Sequence, residues 1–200
     1  MLHWRGTASY VGGKNMKKIT LLGDSIRQIG YGSKVGELLG ANFKVWQPKE
    51  NCRFCKFTLK GVMRDWRSYI EGSDLIHWNN GLWDTMDYGD GVFTSPDEYV
   101  SNMLRIAEIL KKCSPTVIFA TTTPVTPEYL WSDVERIQYY NSILVPELRK
   151  MNIIINDLYS FVYPDLDLFI RKDDHIHLTE EGILACAQEI KQVILENISC

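Results

Sequence analysis

Apolar residues come along this chain in short runs, each closed by a turn and followed by a stretch in which they recur every three or four positions. A run of four to six β-branched and aromatic residues reads as a buried strand, and the three-to-four spacing reads as one face of a helix. The pattern predicts strands at 18–22, 43–46, 74–78, 116–120 and 153–156. Crossover helices are expected at about 33–39, 57–69, 96–112 and 133–150. A last helix is the clearest, because Ile183, Leu184, Ala187, Ile190, Val193 and Ile194 share one face and Thr179 can cap its first turn. Strands alternating with helices imply an α/β fold: five parallel strands between two helical layers, in a three-layer α/β/α sandwich.

Two connections are long, 81–95 after the third strand and 121–132 after the fourth. In open α/β sheets the ligand crevice lies outside the carboxyl ends of the strands, where both of these loops would sit. With 200 residues, 45% of them hydrophobic, the chain can bury one sizeable core, and no repeat or Pro/Gly/Ser linker divides it. One domain is expected over 16–200, with 1–15 a leader or extension ahead of Met16.

Charge narrows the choice of partner. Net charge is −3, and no block of like charge marks a nucleic-acid or membrane footprint, so neither is an expected partner. Five cysteines without regular spacing do not form a disulfide framework and point to a reducing compartment. The opening MLHWRGTASYVGGKN holds no apolar run of signal-peptide length, and nowhere do about 18 apolar residues follow one another. A soluble, cytoplasmic protein is the expectation.

The first strand runs into Gly23-Asp24-Ser25 within KKITLLGDSIRQIGYG. Ser25 therefore falls at the carboxyl edge of the sheet and at the start of a helix, which suits either a helix cap or a nucleophile beside free backbone N–H groups. The far end of the chain bears on this choice, because KDDHIHLTEEG places Asp174 and His177 three residues apart on a loop. A serine hydroxyl needs a general base, and the base needs an acceptor to fix its tautomer. The order serine, aspartate, histidine is a known one for such a triad.

With these two blocks the sequence resembles the SGNH (GDSL-type) hydrolases over about residues 17–198, on Gly23-Asp24-Ser25 and on Asp174-His175-Ile176-His177. The resemblance implies a flavodoxin-like α/β/α fold and an esterase in which Ser25 is the nucleophile, His177 the base and Asp174 its orienting carboxylate. The middle blocks depart from the family pattern. Cys52 or a neighbour, in ENCRFCKFTLKG, stands where the family has an oxyanion-hole glycine. Trp83, in Gly81-Leu82-Trp83-Asp84, stands where it has an oxyanion asparagine. IHWNNGLWD is similar to the Asn-x-Gly-x-Trp-Asp wording of carbohydrate O-acetylesterase branches, which implies Asn79 as oxyanion donor with Asn80 next to it. Ser25 and Cys52 would supply backbone N–H groups.

The expected substrate is a small acyl ester or an acetylated sugar, with no cofactor and no metal. Trp83, Tyr88, Phe93, Tyr129 and Trp131, set among Asp84, Asp87 and Asp90, would suit a sugar ring better than a lipid. Trp83, Tyr88 and Arg27 are the named substrate contacts, although the tryptophans could instead pack the core or support a loop, and Arg27 could steady the nucleophile loop or form a surface ion pair. His175 and His177 lack the further ligands a metal would want. Two alternatives stand beside the esterase: a catalytically silent carbohydrate-binding relative, and a thiol redox protein built on Cys52-Arg53-Phe54-Cys55.

Overall fold

The computed structural model describes residues 16–198, and the expected leader at 1–15 lies outside them. Five parallel strands, β1 (Lys17–Leu22), β2 (Phe43–Trp46), β3 (Leu75–Asn79), β4 (Thr116–Ala120) and β5 (Ile154–Asn156), form one sheet in the order β2-β1-β3-β4-β5. Each lies within a residue of its expected place. The central β3 is buried at every position, as a strand covered on both faces must be.

Alternation along the strands separates two cores. Ile19, Leu21, Leu75 and Ile118 face α1 (Gly32–Leu39) and the last helix, whereas Leu22, Ile76, Trp78, Val117 and Phe119 face the other layer. That second layer comprises α2 (Cys55–Lys60), α3 (Arg67–Ile70), α4 (Pro96–Cys113) and α5 (Val134–Lys150). Two short helices, α6 (Leu158–Val162) and α7 (Leu166–Phe169), follow β5 and lead to α8 (Glu180–Asn197). Ser95, Asp133, Asp157 and Thr179 cap α4, α5, α6 and α8 through their side chains.

The helix expected at 57–69 is broken. After α2 the backbone widens into a π-helical stretch at Gly61–Asp65, and α3 follows. The cause is local: the Trp66 ring folds back over Gly61, where a Cβ would lie 2.3 Å from the ring. The first crossover also starts earlier than its apolar spacing implied. A helical stretch over Ile26–Tyr31, with a non-helical kink at Gly30, runs directly into α1. Among the described residues no helix is long and apolar enough to cross a membrane.

Candidate active site

The site lies at the carboxyl edge of β1 and β3, where the topology reverses and α/β sheets bind ligands. Gly23 is required here because Asn79 leans over it: a Cβ at Gly23 would lie 1.8 Å from Asn79 Oδ1. Asp24 is fully buried. Its Oδ1 accepts from the Ile26 N–H (2.9 Å) and from Asn79 Nδ2 (3.3 Å), while Oδ2 has no partner among the described residues. Burial pushes this carboxyl above its ordinary range, against the pull of those hydrogen bonds and of Arg27. Asp24 thus holds the turn. Ser25 is half-buried at the head of the helical stretch, its hydroxyl side opens on a cleft, and no acceptor among the described residues takes its N–H.

On the facing side, residues 170–178 form a closed turn. An antiparallel bridge pairs Ile170 with Leu178, and Arg171 N–H donates to the His177 carbonyl (2.8 Å). Within the turn Asp174 Oδ1 accepts from the Ile176 and His177 N–H groups at 3.1 and 2.9 Å, and Oδ2 lies 3.0 Å from His177 Nδ1. Partial burial raises the Asp174 carboxyl, but these hydrogen bonds outweigh it and hold it below the usual carboxylate range. An ionised carboxylate on Nδ1 selects the Nδ1–H tautomer and leaves Nε2 as the basic nitrogen. Nε2 has no hydrogen-bond partner among the described residues.

Ser25 and His177 both line a cleft of ≈ 290 Å³, whose walls include Ile26, Ile29, Leu178 and Ile183. The two side chains are not hydrogen-bonded to each other among the described residues; catalytic hydrogen bonds of this kind commonly tighten on substrate binding. His175, the neighbour in the motif, turns away. It takes a left-handed backbone conformation (φ 65°), and its Nδ1 meets Thr126 Oγ1 at 2.9 Å while its carbonyl accepts the Thr126 N–H. It fastens the loop after β4 to the turn.

The two asparagines do different work. Asn79 is fixed in one orientation, since Tyr31 donates its hydroxyl to Oδ1 (3.2 Å) and Nδ2 faces Asp24 Oδ1; one N–H of its amide is left over. Asn80 ties the second helical layer together. Its Nδ2 donates to the Arg53 carbonyl, its Oδ1 accepts from Trp78 Nε1, and its carbonyl accepts from the Tyr99 and Thr122 hydroxyls. Gly81 follows with φ +148°, and a Cβ there would lie 1.9 Å from Thr122 Oγ1, so this turn admits only glycine.

Three expectations are corrected. The Cys52 N–H is not free to stabilise an oxyanion, because it donates to the Gly23 carbonyl at 3.0 Å. Arg27 is not a substrate contact. It is buried, and its guanidinium donates to Gly23 O (3.0 Å), Pro48 O (2.8 Å), Glu50 O (2.7 Å) and Gln47 Oε1 (3.2 Å), which uses up a rigid fork of five donors. The redox reading fails on the thiols themselves. Cys52 and Cys55 are buried; burial pushes Cys52 up to about 11, and burial with the adjacent Asp84 carboxylate pushes Cys55 higher still. A reactive dithiol needs the opposite shift.

Sequence reasoning missed Tyr31, which nothing in its own stretch marks as a partner of Asn79, and the role of Asp84. That carboxylate is buried and accepts from the Cys55 N–H and the Thr94 hydroxyl, joining the loop after β3 to the start of α2. Burial lifts it to about 6. Of the expected aromatic contacts, Tyr88 is exposed and lines a second cleft with Tyr129 and Trp131; half-buried Trp83 lines neither that cleft nor the one at Ser25.

No protein-family model and no curated protein sequence matches the chain significantly. Solved structures do. A lipase/acylhydrolase from Enterococcus faecalis superposes with a TM-score of 0.74 at 22% identity, covering 92% of this chain and 98% of its own. A GDSL-like lipase from Bacteroides thetaiotaomicron gives 0.67 at 18% identity, over 90% and 89%. An acetylxylan esterase, Axe2, from Geobacillus stearothermophilus gives 0.70 at 16% identity, over 89% and 94%. The chain therefore has the α/β/α fold on which GDSL-type hydrolases are built.

Proposed function

We propose that this protein is a serine esterase that hydrolyses small acyl esters, acetyl groups on carbohydrates foremost, through Ser25, His177 and Asp174. The observation that carries the reading is the 3.0 Å contact between Asp174 Oδ2 and His177 Nδ1, with the other ring nitrogen left basic beside a cleft that Ser25 shares. A surface histidine has no need of an acceptor on one nitrogen and an open cleft at the other; a general base needs both.

In the first step Ser25 Oγ bonds to the ester carbonyl carbon and its proton passes to His177 Nε2. The carbonyl oxygen becomes an oxyanion, met by the Ser25 N–H and the spare N–H of Asn79. Collapse breaks the bond to the alkoxy oxygen, which leaves with the proton from His177. Water then attacks the acyl-enzyme and gives its proton to the same nitrogen, and collapse of the second tetrahedral intermediate breaks the bond to Ser25 Oγ, which takes that proton back as the acid is released. Asp174 stays ionised throughout and stabilises the imidazolium.

The acetyl-carbohydrate preference is supported by the exposed aromatics on the neighbouring loops and by the acetylxylan esterases among the structures of the same fold. A panel of p-nitrophenyl esters and acetylated xylo-oligosaccharides, run on the parent and on Ser25→Ala, tests the whole. Ser25→Ala should lose roughly 10⁴-fold or more in kcat. Equal activity in both proteins would end the proposal. Labelling of Ser25 by an active-site-directed phosphonate separates an esterase from a silent binder.

A further inference from the structure

A second cleft, of ≈ 450 Å³, opens between the loops after β3 and β4 and is lined by Asp87, Tyr88, Tyr129, Trp131, Asp133 and Arg136. Its volume is within the ~300–1,000 Å³ typical of small-ligand sites. We infer that this cleft is a sugar-binding subsite, holding a pyranose ring of an oligosaccharide whose acyl group is presented to Ser25. The inference rests on the carbohydrate-ester reading and adds to it where the sugar lies.

Two observations carry it. The first is aromatic exposure without a packing reason. Tyr88 and Trp131 touch, with ring centroids 5.1 Å apart, yet they remain 54% and 42% exposed. An exposed ring can take the apolar face of a pyranose, and this pair, unlike the equally exposed Tyr69 beside Trp46, stands on the loops after β3 and β4, the second of which is bonded to His175 in the turn that bears His177. Polar groups that could meet its hydroxyls stand around them: the Asp87 and Asp133 carboxylates and the Arg136 guanidinium.

The second is that the platform is preformed. The Asp87 N–H donates to the Trp131 carbonyl at 2.7 Å, Ser132 Oγ and Thr85 Oγ1 are 2.9 Å apart, and Arg136 donates to the Thr85 carbonyl at 3.0 Å. Asp87 Oδ1 also accepts from the Gly89 and Gly91 N–H groups, which fixes the loop tip bearing Tyr88. A rigid site loses less ordering entropy on binding than a floppy one. The cleft is also joined to the chemistry. The Tyr129 N–H donates to the Thr126 carbonyl at 3.0 Å, and Thr126 Oγ1 in turn meets His175 Nδ1 at 2.9 Å, in the turn that bears His177.

Binding of an unesterified oligosaccharide tests this without requiring turnover. Xylohexaose and cellohexaose are titrated into Ser25→Ala protein by calorimetry, and again with Trp131→Ala or Tyr88→Ala added. Saturable binding that weakens about 10-fold or more with either added substitution is expected, while Tyr69→Ala, an exposed aromatic paired with Trp46 beside β2, serves as the comparison and should bind as tightly as the Ser25→Ala protein. Tyr88 is on an exposed loop tip, so its variant keeps the test valid if Trp131→Ala unfolds. Absence of binding by either sugar, or binding that both added substitutions leave intact, overturns the subsite. Esterase activity measured separately on Ser25 variants shows whether the underlying reading fails with it.

Discussion

The two halves of the site are held by opposite means. The nucleophile half, Gly23-Asp24-Ser25, sits in a buried net whose members come from distant parts of the chain: Arg27 reaches the segment at 47–50, Cys52 bonds back to Gly23, and Asn79 and Tyr31 close over the top. The base half is local and partly exposed. Among the described residues Asp174 meets Ile176 and His177 two and three positions ahead and Arg171 three positions back, all inside one turn. Buried long-range bonds couple a site to the stability of the fold, whereas a local surface turn can be changed at little global cost. Damage to the nucleophile half should therefore appear in folding as well as in rate, and damage to the base half in rate alone.

The sharpest test of the base half is Asp174→Asn. The amide keeps an acceptor for the Ile176 and His177 N–H groups but offers Nδ1 the wrong partner, so it favours the unproductive tautomer. A fall in kcat of about 10⁴-fold is expected, with a thermal midpoint within about 4 °C of the parent. A large drop in melting temperature would show that the turn is part of the core after all.

Arg27→Met tests the other half in the opposite sense. It strips donors from the buried Pro48 carbonyl and the part-buried Glu50 carbonyl, and leaves the Gly23 carbonyl only the Cys52 N–H, while filling the space with an unbranched side chain. Each carbonyl left unpartnered costs roughly 1–3 kcal/mol, partly offset by removal of a buried charge, so a loss of about 3 kcal/mol in urea unfolding is expected. Arg27→Lys should rescue little, since an ammonium cannot span several carbonyls at once. Unchanged stability would dissolve the contrast between the halves.

This contrast also explains what was legible in the sequence. Parallel strands covered on both faces write themselves as apolar runs, so all five were readable, and an aspartate three residues before a histidine shows its geometry in its spacing. That Arg27 could steady the nucleophile loop was open to reading, but its partners at 47–50 and those of Cys52 were not, because they lie about 20 to 30 positions away and only the folded sheet brings them together. Tyr31 was hidden for the same reason, 48 positions from Asn79. The helix expected at 57–69 kept its apolar period while Trp66 turned back over Gly61, and α6 and α7 are too short to show a period.

The smallest effect falls where the two halves meet, at the oxyanion donor. Asn79 and Asn80 are both buried, but one leans on the nucleophile turn and the other braces the second helical layer. Asn79→Ala removes a donor that would be engaged in the transition state, so kcat should fall about 10²-fold with KM little moved. Asn80→Ala instead strands the Trp78 indole N–H and the Arg53 carbonyl, so its larger effect should be on unfolding, by roughly 1–3 kcal/mol. Tyr31→Phe divides the Asn79 effect further: it removes only the hydroxyl that orients the amide, and should produce a loss in kcat smaller than that of Asn79→Ala. If Asn80→Ala proved the greater loss in kcat and Asn79→Ala the greater loss in stability, the oxyanion would face the second layer rather than the nucleophile turn. The amide beside Asp24 would then be a strut like its neighbour.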